Sequence, residues 1–209
     1  MSSESGRAGD LFVISAPSGT GKTTLARRLL QEVERLVFSV SHTTRAPRAG
    51  EVEGIDYYFV DRPRFERMAA DGEFLEWAEV GDALYGTSRR TVERATSAGQ
   101  DVLLDVDTQG AAAIRRLVPG AILIFIMPPG LDALRQRLRD RGSESAEAVE
   151  RRVGLAAGEI ARAGSYDYVV VNDDLGAAFE RLKAIFLAAR CRTGGRFGDP
   201  GGPARGGAQ

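Results

Sequence analysis

The sequence has one cysteine and one histidine in 209 residues, Cys191 and His42. A single thiol excludes an intramolecular disulfide, and one Cys with one His cannot assemble a structural zinc site. An excess of either charge is also lacking: 28 Lys and Arg stand against 29 Asp and Glu. No global field therefore draws the chain to nucleic acid or to a membrane surface, and any anion recognition must come from local clusters. Long hydrophobic runs are missing too. The longest, residues 121–127, falls far short of the roughly 20 residues that span a bilayer. Residues 1–10 are rich in Ser, Gly and Glu, without the apolar stretch of a signal peptide. These absences predict a cytoplasmic protein with no membrane or nucleic-acid partner. They leave open whether it is a monomer or a homo-oligomer.

What is present suffices for a core, at 43% hydrophobic residues. Leu11 to Ile14 form a short apolar run, then Gly/Ser/Pro punctuation, then Leu25, Leu29, Leu30 and Val33 at helical spacing. Further apolar runs at 102–104, 122–126 and 168–171 read as strands. Continuous rather than alternating hydrophobicity predicts strands covered on both faces, hence an α/β fold with a parallel sheet between helices. Residues 38–96 are more polar, rich in Gly, Arg and Tyr, and alternate in pieces such as 56–60. They predict a small insertion of mixed strands. Beyond Cys191 the composition turns to Gly, Pro and Arg, which predicts a disordered tail over about 191–209 whose arginines (Arg190, Arg192, Arg196, Arg205) are solvated.

The most specific motif is Ala16-Pro17-Ser18-Gly19-Thr20-Gly21-Lys22-Thr23, followed by Thr24. It fits the phosphate-binding form GxxxxGK[ST] except at its first position, where Ala16 replaces glycine. Small residues let successive N–H groups curl round an anion, the following helix aims its N-terminus at the same point, and Lys22 adds a full charge near the β- and γ-phosphates. Thr23 supplies a hydroxyl for Mg²⁺. Alanine lacks the freedom of glycine at positive φ, so the turn at Ala16 must be one that accepts a Cβ. The bland alternative is a Gly-rich turn joining strand to helix.

Residues 39–59 place Arg45 and Arg48 either side of Pro47, with Ser41, Glu51 and Tyr57 close by. Two guanidinium groups on an extended turn can converge on one dianionic phosphate. Here the sequence resembles the guanylate kinase family. The resemblance rests on the phosphate loop, on Ser41-x-x-Thr44-Arg45-x-Pro47-Arg48-x-Gly50-Glu51-x-x-Gly54-x-x-Tyr57-x-Phe59, and on residues 73–77, 85–87 and 104–110 in order and spacing. It runs from about residue 11 to about 189. It implies a three-layer P-loop core (about 10–37, 97–130 and 153–190), a mixed-β GMP-binding insertion (38–96) and a helical lid (131–152), with ATP and GMP or dGMP as substrates and Mg²⁺ as cofactor.

Carried over by position, acceptor-phosphate contacts fall on Arg45, Arg48, Tyr57 and Tyr85, with Glu51 in the same GMP-binding set. Guanine contacts fall on Ser41, Glu76, Thr87 and Asp107. The chemistry agrees: guanine presents adjacent N1–H and N2–H donors that a carboxylate accepts, whereas adenine presents an acceptor at N1. The resemblance also makes Arg137, Arg141 and Arg152 lid arginines acting with Lys22 and Arg45 in transfer. It puts Asn172 and Asp173 near the adenine of ATP.

Taken alone, each of these arginines reads as a solvated charge, and each tyrosine as the cap of a core edge. Asp105 and Asp107 follow an apolar run, so strand alternation points them to one side at a carboxyl end where α/β sheets bind ligands. Asp105 then holds a water on Mg²⁺, or else the two carboxylates cap the following helix. Leu131, Leu134 and Leu138 are expected to form one core stripe, and His42 to be a surface substituent. Two other functions fit: a P-loop kinase of another small phosphate ester, and a non-catalytic guanylate-kinase-like module that binds proteins.

Overall fold

The computed structural model describes residues 8–140 and 145–192. The apolar runs become the strands of a five-stranded parallel sheet: β1 (Leu11–Ser15), β2 (Leu36–Phe38), β7 (Asp101–Asp105), β8 (Ile122–Met127) and β9 (Tyr168–Val171). Their order is β2-β7-β1-β8-β9. Val13 sits between Leu104 on one side and Leu123 on the other. Because the chain leaves β1 for β2 and later returns to either side of β1, the switch point falls at the carboxyl ends of β1, β7 and β8, where loops diverge and a crevice opens.

Alternation along β1 divides the core. Phe12 and Ile14 face α1 (Lys22–Glu32) and α7 (Leu175–Ala189), packing with Leu25, Leu29, Phe179 and Phe186. Leu11 and Val13 face α3 (Arg89–Ser97) and α4 (Thr108–Leu117), packing with Val92 and Ile114. Strand β9 departs from the expectation of cover on both faces: Tyr168, Val169 and Val171 are 43%, 45% and 36% exposed. It lies at the sheet's edge, paired with β8 alone.

Residues 38–96 contain a second, mixed sheet of order β4-β3-β6-β5, built from β3 (His42–Thr43), β4 (Tyr58–Phe59), β5 (Phe74–Val80) and β6 (Ala83–Ser88). The alternating stretch 56–60 yields only the two-residue strand β4. Helix α2 (Arg62–Ala70), capped by Asp61 with Pro63 in its first turn, buries Phe65 against Phe74 and Leu84. Helix α3 joins the two sheets, since Val92 packs with Leu75 of β5 and with Val102 and Leu104 of β7. Helices α5 (Leu131–Asp140) and α6 (Ala146–Ile160) form a hairpin with its own apolar cluster of Leu134, Leu138, Val149, Val153 and Ala156. Leu131 is not part of that stripe and is 37% exposed.

Past α7 the chain makes one more turn, with the N–H groups of Cys191 and Arg192 donating to Ala188 and Ala189 at 3.0 Å each. Arg190 is not a solvated charge: its Nε donates to Asp101 at 2.8 Å. Arg196 and Arg205, and the rest of the expected tail from 193 on, lie outside the described residues. No helix among the described residues is long and apolar enough to cross a membrane.

Candidate active site

The phosphate loop leaves β1 at Ser15 and enters α1 at Lys22. Gly19 and Gly21 take φ of +93° and +89°, a region that L side chains avoid. Arg35 is the only non-glycine residue at positive φ among the described residues, so the turn at Ala16 accepts its Cβ. Pro17 is buried beneath the loop and Ser18 is exposed. The Thr20 hydroxyl turns back to the Pro17 carbonyl at 2.9 Å, and the Asn172 amide donates to the Thr20 carbonyl at 2.6 Å. Gly21 caps α1 without a side chain, which leaves the first-turn N–H groups as an anion-binding end. Thr23 and Thr24 are exposed in that turn. The Lys22 ammonium is held by the Asp105 carboxylate, at the end of β7.

On the opposite wall Arg45 follows β3. Its Nη2 makes two bonds to the Glu51 carboxylate, at 2.7 and 3.0 Å, and its Nη1 donates to the Ala46 carbonyl at 2.7 Å. Glu51 beside it raises the pKa of the Arg45 guanidinium further. Arg45, then the Arg48 N–H, hold the Glu51 carboxyl below its usual range. Arg48 reaches this carboxylate through its backbone N–H at 2.7 Å, while its side chain is exposed. Arg45 also lies 5.4 Å from the Tyr57 ring centroid, and Tyr57 meets Tyr85 edge-on at 5.9 Å. Burial raises the Tyr57 hydroxyl pKa, and the Asp105 charge adds to the effect.

Deeper, Glu76 of β5 is 7% exposed and accepts from the Thr87 hydroxyl at 2.6 Å. Burial pushes its carboxyl up, against the lowering effect of Thr87, and Asp107 pushes the same way as burial. A Cβ at Gly110 would stand 3.1 Å from Glu76 Oε2, so α4 approaches that carboxylate at a position without a side chain. Strand β7 ends at Asp105, and Asp107 is the N-cap of α4, accepting from the Gly110 N–H at 2.8 Å. Helix capping therefore belongs to Asp107, and Asp105 turns instead to Lys22.

One cavity of about 230 Å³ unites the two walls. Ala16 and Lys22 line it from the phosphate loop, Asp105 from the end of β7, Asp107 from the N-cap of α4, and Ser41, Tyr57, Glu76 and Tyr85 from the second sheet and the residues that flank its strands. The helical hairpin closes over the loop. Arg152 Nη1 donates to the Ser18 hydroxyl at 2.9 Å, Arg137 Nη2 donates to the Asn172 carbonyl at 2.9 Å, and a Cβ at Gly19 would meet Leu138 at 3.0 Å. Arg141 lies outside the described residues. Asp173 accepts from the Asp174 N–H at 2.9 Å and from Arg181 at 3.2 Å. Four cations of the site, Lys22, Arg45, Arg137 and Arg152, thus already rest on protein acceptors.

His42 differs from its expected surface position. It is half-buried in β3, stacked on Tyr58 at 4.9 Å and edge-on to Phe74 at 5.6 Å. Burial lowers its imidazole pKa. Sequence reasoning missed Glu159 and Arg162, at and just past the end of α6. Glu159 is half-buried, burial raises its carboxyl pKa, and Lys22 is the leading opposing charge; Arg162 donates to the Thr108 hydroxyl at 3.0 Å. Charges at the end of a helix read as a solvated face, and nothing local marks them otherwise.

Comparison with known proteins agrees with this arrangement. A family model described as guanylate kinase matches residues 8–189. The chain is 49% identical over 187 residues to the guanylate kinase of Geobacter metallireducens, covering 90% of this chain and 92% of that one. It is 51% identical over 185 residues to that of Symbiobacterium thermophilum, covering 88% of each. The crystal structure of guanylate kinase from Anaplasma phagocytophilum superposes with a TM-score of 0.75 at 38% identity, over 91% of each chain. A phosphate loop and a buried carboxylate facing one cavity, on a chain that the family model matches over residues 8–189 and these relatives over about nine-tenths of its length, place it in the guanylate kinase family.

Proposed function

We propose that the chain transfers the γ-phosphoryl group of ATP to GMP, and to dGMP, giving ADP and GDP or dGDP. The observation that carries this is the single cavity lined by Lys22 and Glu76, a donor-phosphate cation and a guanine-reading carboxylate within one cleft. A phosphate oxygen of GMP, already anionic, attacks the γ-phosphorus while the bond to the β,γ-bridging oxygen breaks. No covalent intermediate and no general base are required, so catalysis is positioning plus charge stabilisation.

The residues divide by wall. Arg45, Arg48, Tyr57 and Tyr85 hold the acceptor phosphate, with Glu51 orienting Arg45 until the phosphate arrives. Ser41, Glu76, Thr87 and Asp107 read guanine. The loop from Ala16 to Thr24 and the Lys22 ammonium hold the ATP phosphates. Arg137, Arg141 and Arg152 neutralise the transferring group, and residues 172–173 border the base. In this reading residues 38–96 are the acceptor-binding insertion and 131–152 the lid, whose closure excludes water.

Among the described residues no group of three or more His, Cys, Asp or Glu is arranged to hold a metal ion. Mg²⁺ bound with a nucleotide needs fewer, because phosphates and waters fill most of its shell. The exposed Thr23 hydroxyl and the Asp105 carboxylate suit that demand. Mg²⁺ when bound would offset charge on the phosphate oxygens; Thr23 would anchor it, and Asp105 also restrains Lys22. The setting we infer is the cytoplasm and purine nucleotide metabolism.

The test is ADP formation from ATP and Mg²⁺ with GMP, dGMP, AMP, CMP and UMP in parallel. GMP and dGMP are expected to be the acceptors. Preference for AMP would overturn the role of Glu76, and no turnover with any acceptor would make the chain a binding module.

A further inference from the structure

Asn172 follows β9 and is 3% exposed. Its backbone N–H donates to the Met127 carbonyl at 2.8 Å, which fixes it to the end of β8. Its side-chain Nδ2 donates to the Thr20 carbonyl at 2.6 Å. A Cβ at Gly21 would stand 2.6 Å from that same nitrogen, so the amide is fitted to the phosphate loop where the loop has no side chain. Its backbone carbonyl accepts from Arg137 Nη2 at 2.9 Å. One buried residue thus touches the central sheet, the phosphate loop and the helical hairpin.

We infer that Asn172, although it borders the base of ATP, is a positioning residue for the phosphate donor whose side chain acts through the Thr20–Gly21 peptide. A trans peptide is planar, with its C=O and N–H pointing in opposite directions. Drawing the Thr20 carbonyl toward Asn172 turns the Gly21 N–H the other way, which in a phosphate loop is the inside of the anion cradle. The contact at the Asn172 carbonyl gives Arg137 a seat on the same residue, so loop geometry and hairpin docking share one support. The inference rests on the phosphate-loop reading of residues 16–23 and adds a role to it.

The experiment compares wild type with Asn172→Asp and Asn172→Ala by calorimetric titration with MgATP and with Mg-tripolyphosphate, which has no base. The aspartate sets a carboxylate oxygen against the Thr20 carbonyl, and the alanine leaves that carbonyl without its donor. Both ligands are expected to weaken by the same factor, roughly 10- to 100-fold for loss of a buried hydrogen bond, while the KM for GMP keeps its wild-type value and thermal unfolding stays cooperative. Weaker MgATP with unchanged Mg-tripolyphosphate would overturn the inference in favour of a base contact, as would no change in either. If Asn172→Asp does not fold, Asn172→Ser removes the amide without adding charge and carries the same comparison. Wild type that binds neither ligand would instead remove the phosphate-loop reading and this inference with it.

Discussion

Glu76 and Thr87 sit directly across from each other on β5 and β6, joined by a 2.6 Å hydrogen bond in a pocket that leaves the carboxylate 7% exposed. Burial raises the carboxyl pKa of Glu76. A group whose pKa is raised by folding stabilises the fold fully below its unfolded pKa, and that stability is lost as pH rises through the folded value. Once ionised, Glu76 is therefore a standing cost to the empty protein, offset when guanine donates to it. Glu76→Gln is expected to melt higher than wild type at pH 7 without ligand, with the difference vanishing as pH falls below the usual carboxylate range. Its kcat/KM for GMP should fall by roughly 100-fold, since two hydrogen bonds to a charged acceptor are lost. In wild type the KM for GMP should climb on acidification, and Glu76→Gln should lack that limb.

Much of this site was legible in the sequence because its parts are local. The phosphate loop is a contiguous motif with a fixed mechanism, and the apolar runs that became β1, β7 and β8 are strands whatever their order. Arg45, Tyr57 and Glu76 were legible through family resemblance; taken alone, Arg45 also suited a solvated charge and Tyr57 a core edge. What stayed hidden depends on tertiary approach. The resemblance put Asn172 near the adenine of ATP, and only the sheet order brings its side chain to Thr20. Helix capping by the Asp105 and Asp107 pair was open in the sequence, and that it falls to Asp107 alone depends on β7 ending at Asp105. The half-burial of His42 depends on Phe74 of β5, whose ring reaches it across Gly86 of the intervening β6.

Lys22→Ala should reduce turnover by about 100- to 1,000-fold, the scale of removing one preorganised charge from a transition state. The fold should persist, because Lys22 contributes an ion pair to Asp105 at a partly open site, with side chains 20% and 26% exposed. Parallel measurement of kcat and of the unfolding midpoint checks both halves. A large drop in the midpoint would reassign Lys22 to structure.

Arg45 is expected to resist conservative replacement. Its two contacts with Glu51, at 2.7 and 3.0 Å, place a guanidinium where a dianionic phosphate is to bind. A lysine offers a point charge in place of that planar fork. Arg45→Lys should thus lose about 10-fold or more in kcat/KM for GMP, and Arg45→Ala about 100-fold or more, with the ATP affinity of both unchanged. Steady-state kinetics with each substrate varied separately decides it.

Gly19→Ala combines two faults. The residue sits at φ +93°, and a Cβ there would press on Leu138 at 3.0 Å and on Leu134 at 3.1 Å. Backbone strain of this kind costs about 1–3 kcal/mol, and relieving the contact means displacing the Leu134 and Leu138 side chains where the α5–α6 hairpin packs on the loop. The variant should melt lower and bind ATP more weakly. Binding of GMP, on the opposite wall, should be kept.

Asp101 offers the converse case, a charge that matters for stability alone. It is 2% exposed and accepts from Arg190 Nε at 2.8 Å and from the Asp10 N–H at 2.9 Å. These bonds tie the end of α7 to the beginning of β7. Asp105, at the other end of that five-residue strand, faces the cavity. Asp101→Ala leaves the partly buried Arg190 without this carboxylate, a change that costs about 3–5 kcal/mol when a buried pair is broken from one side. Denaturant unfolding should show that loss, while KM for both substrates and kcat at low temperature remain those of wild type. Replacing both partners by apolar side chains, as in Asp101→Val with Arg190→Leu, should recover part of the loss, because then no charge is left buried alone. If the double variant is no more stable than Asp101→Ala, the deficit comes from the other contacts of Asp101 rather than from the loss of a carboxylate beside Arg190.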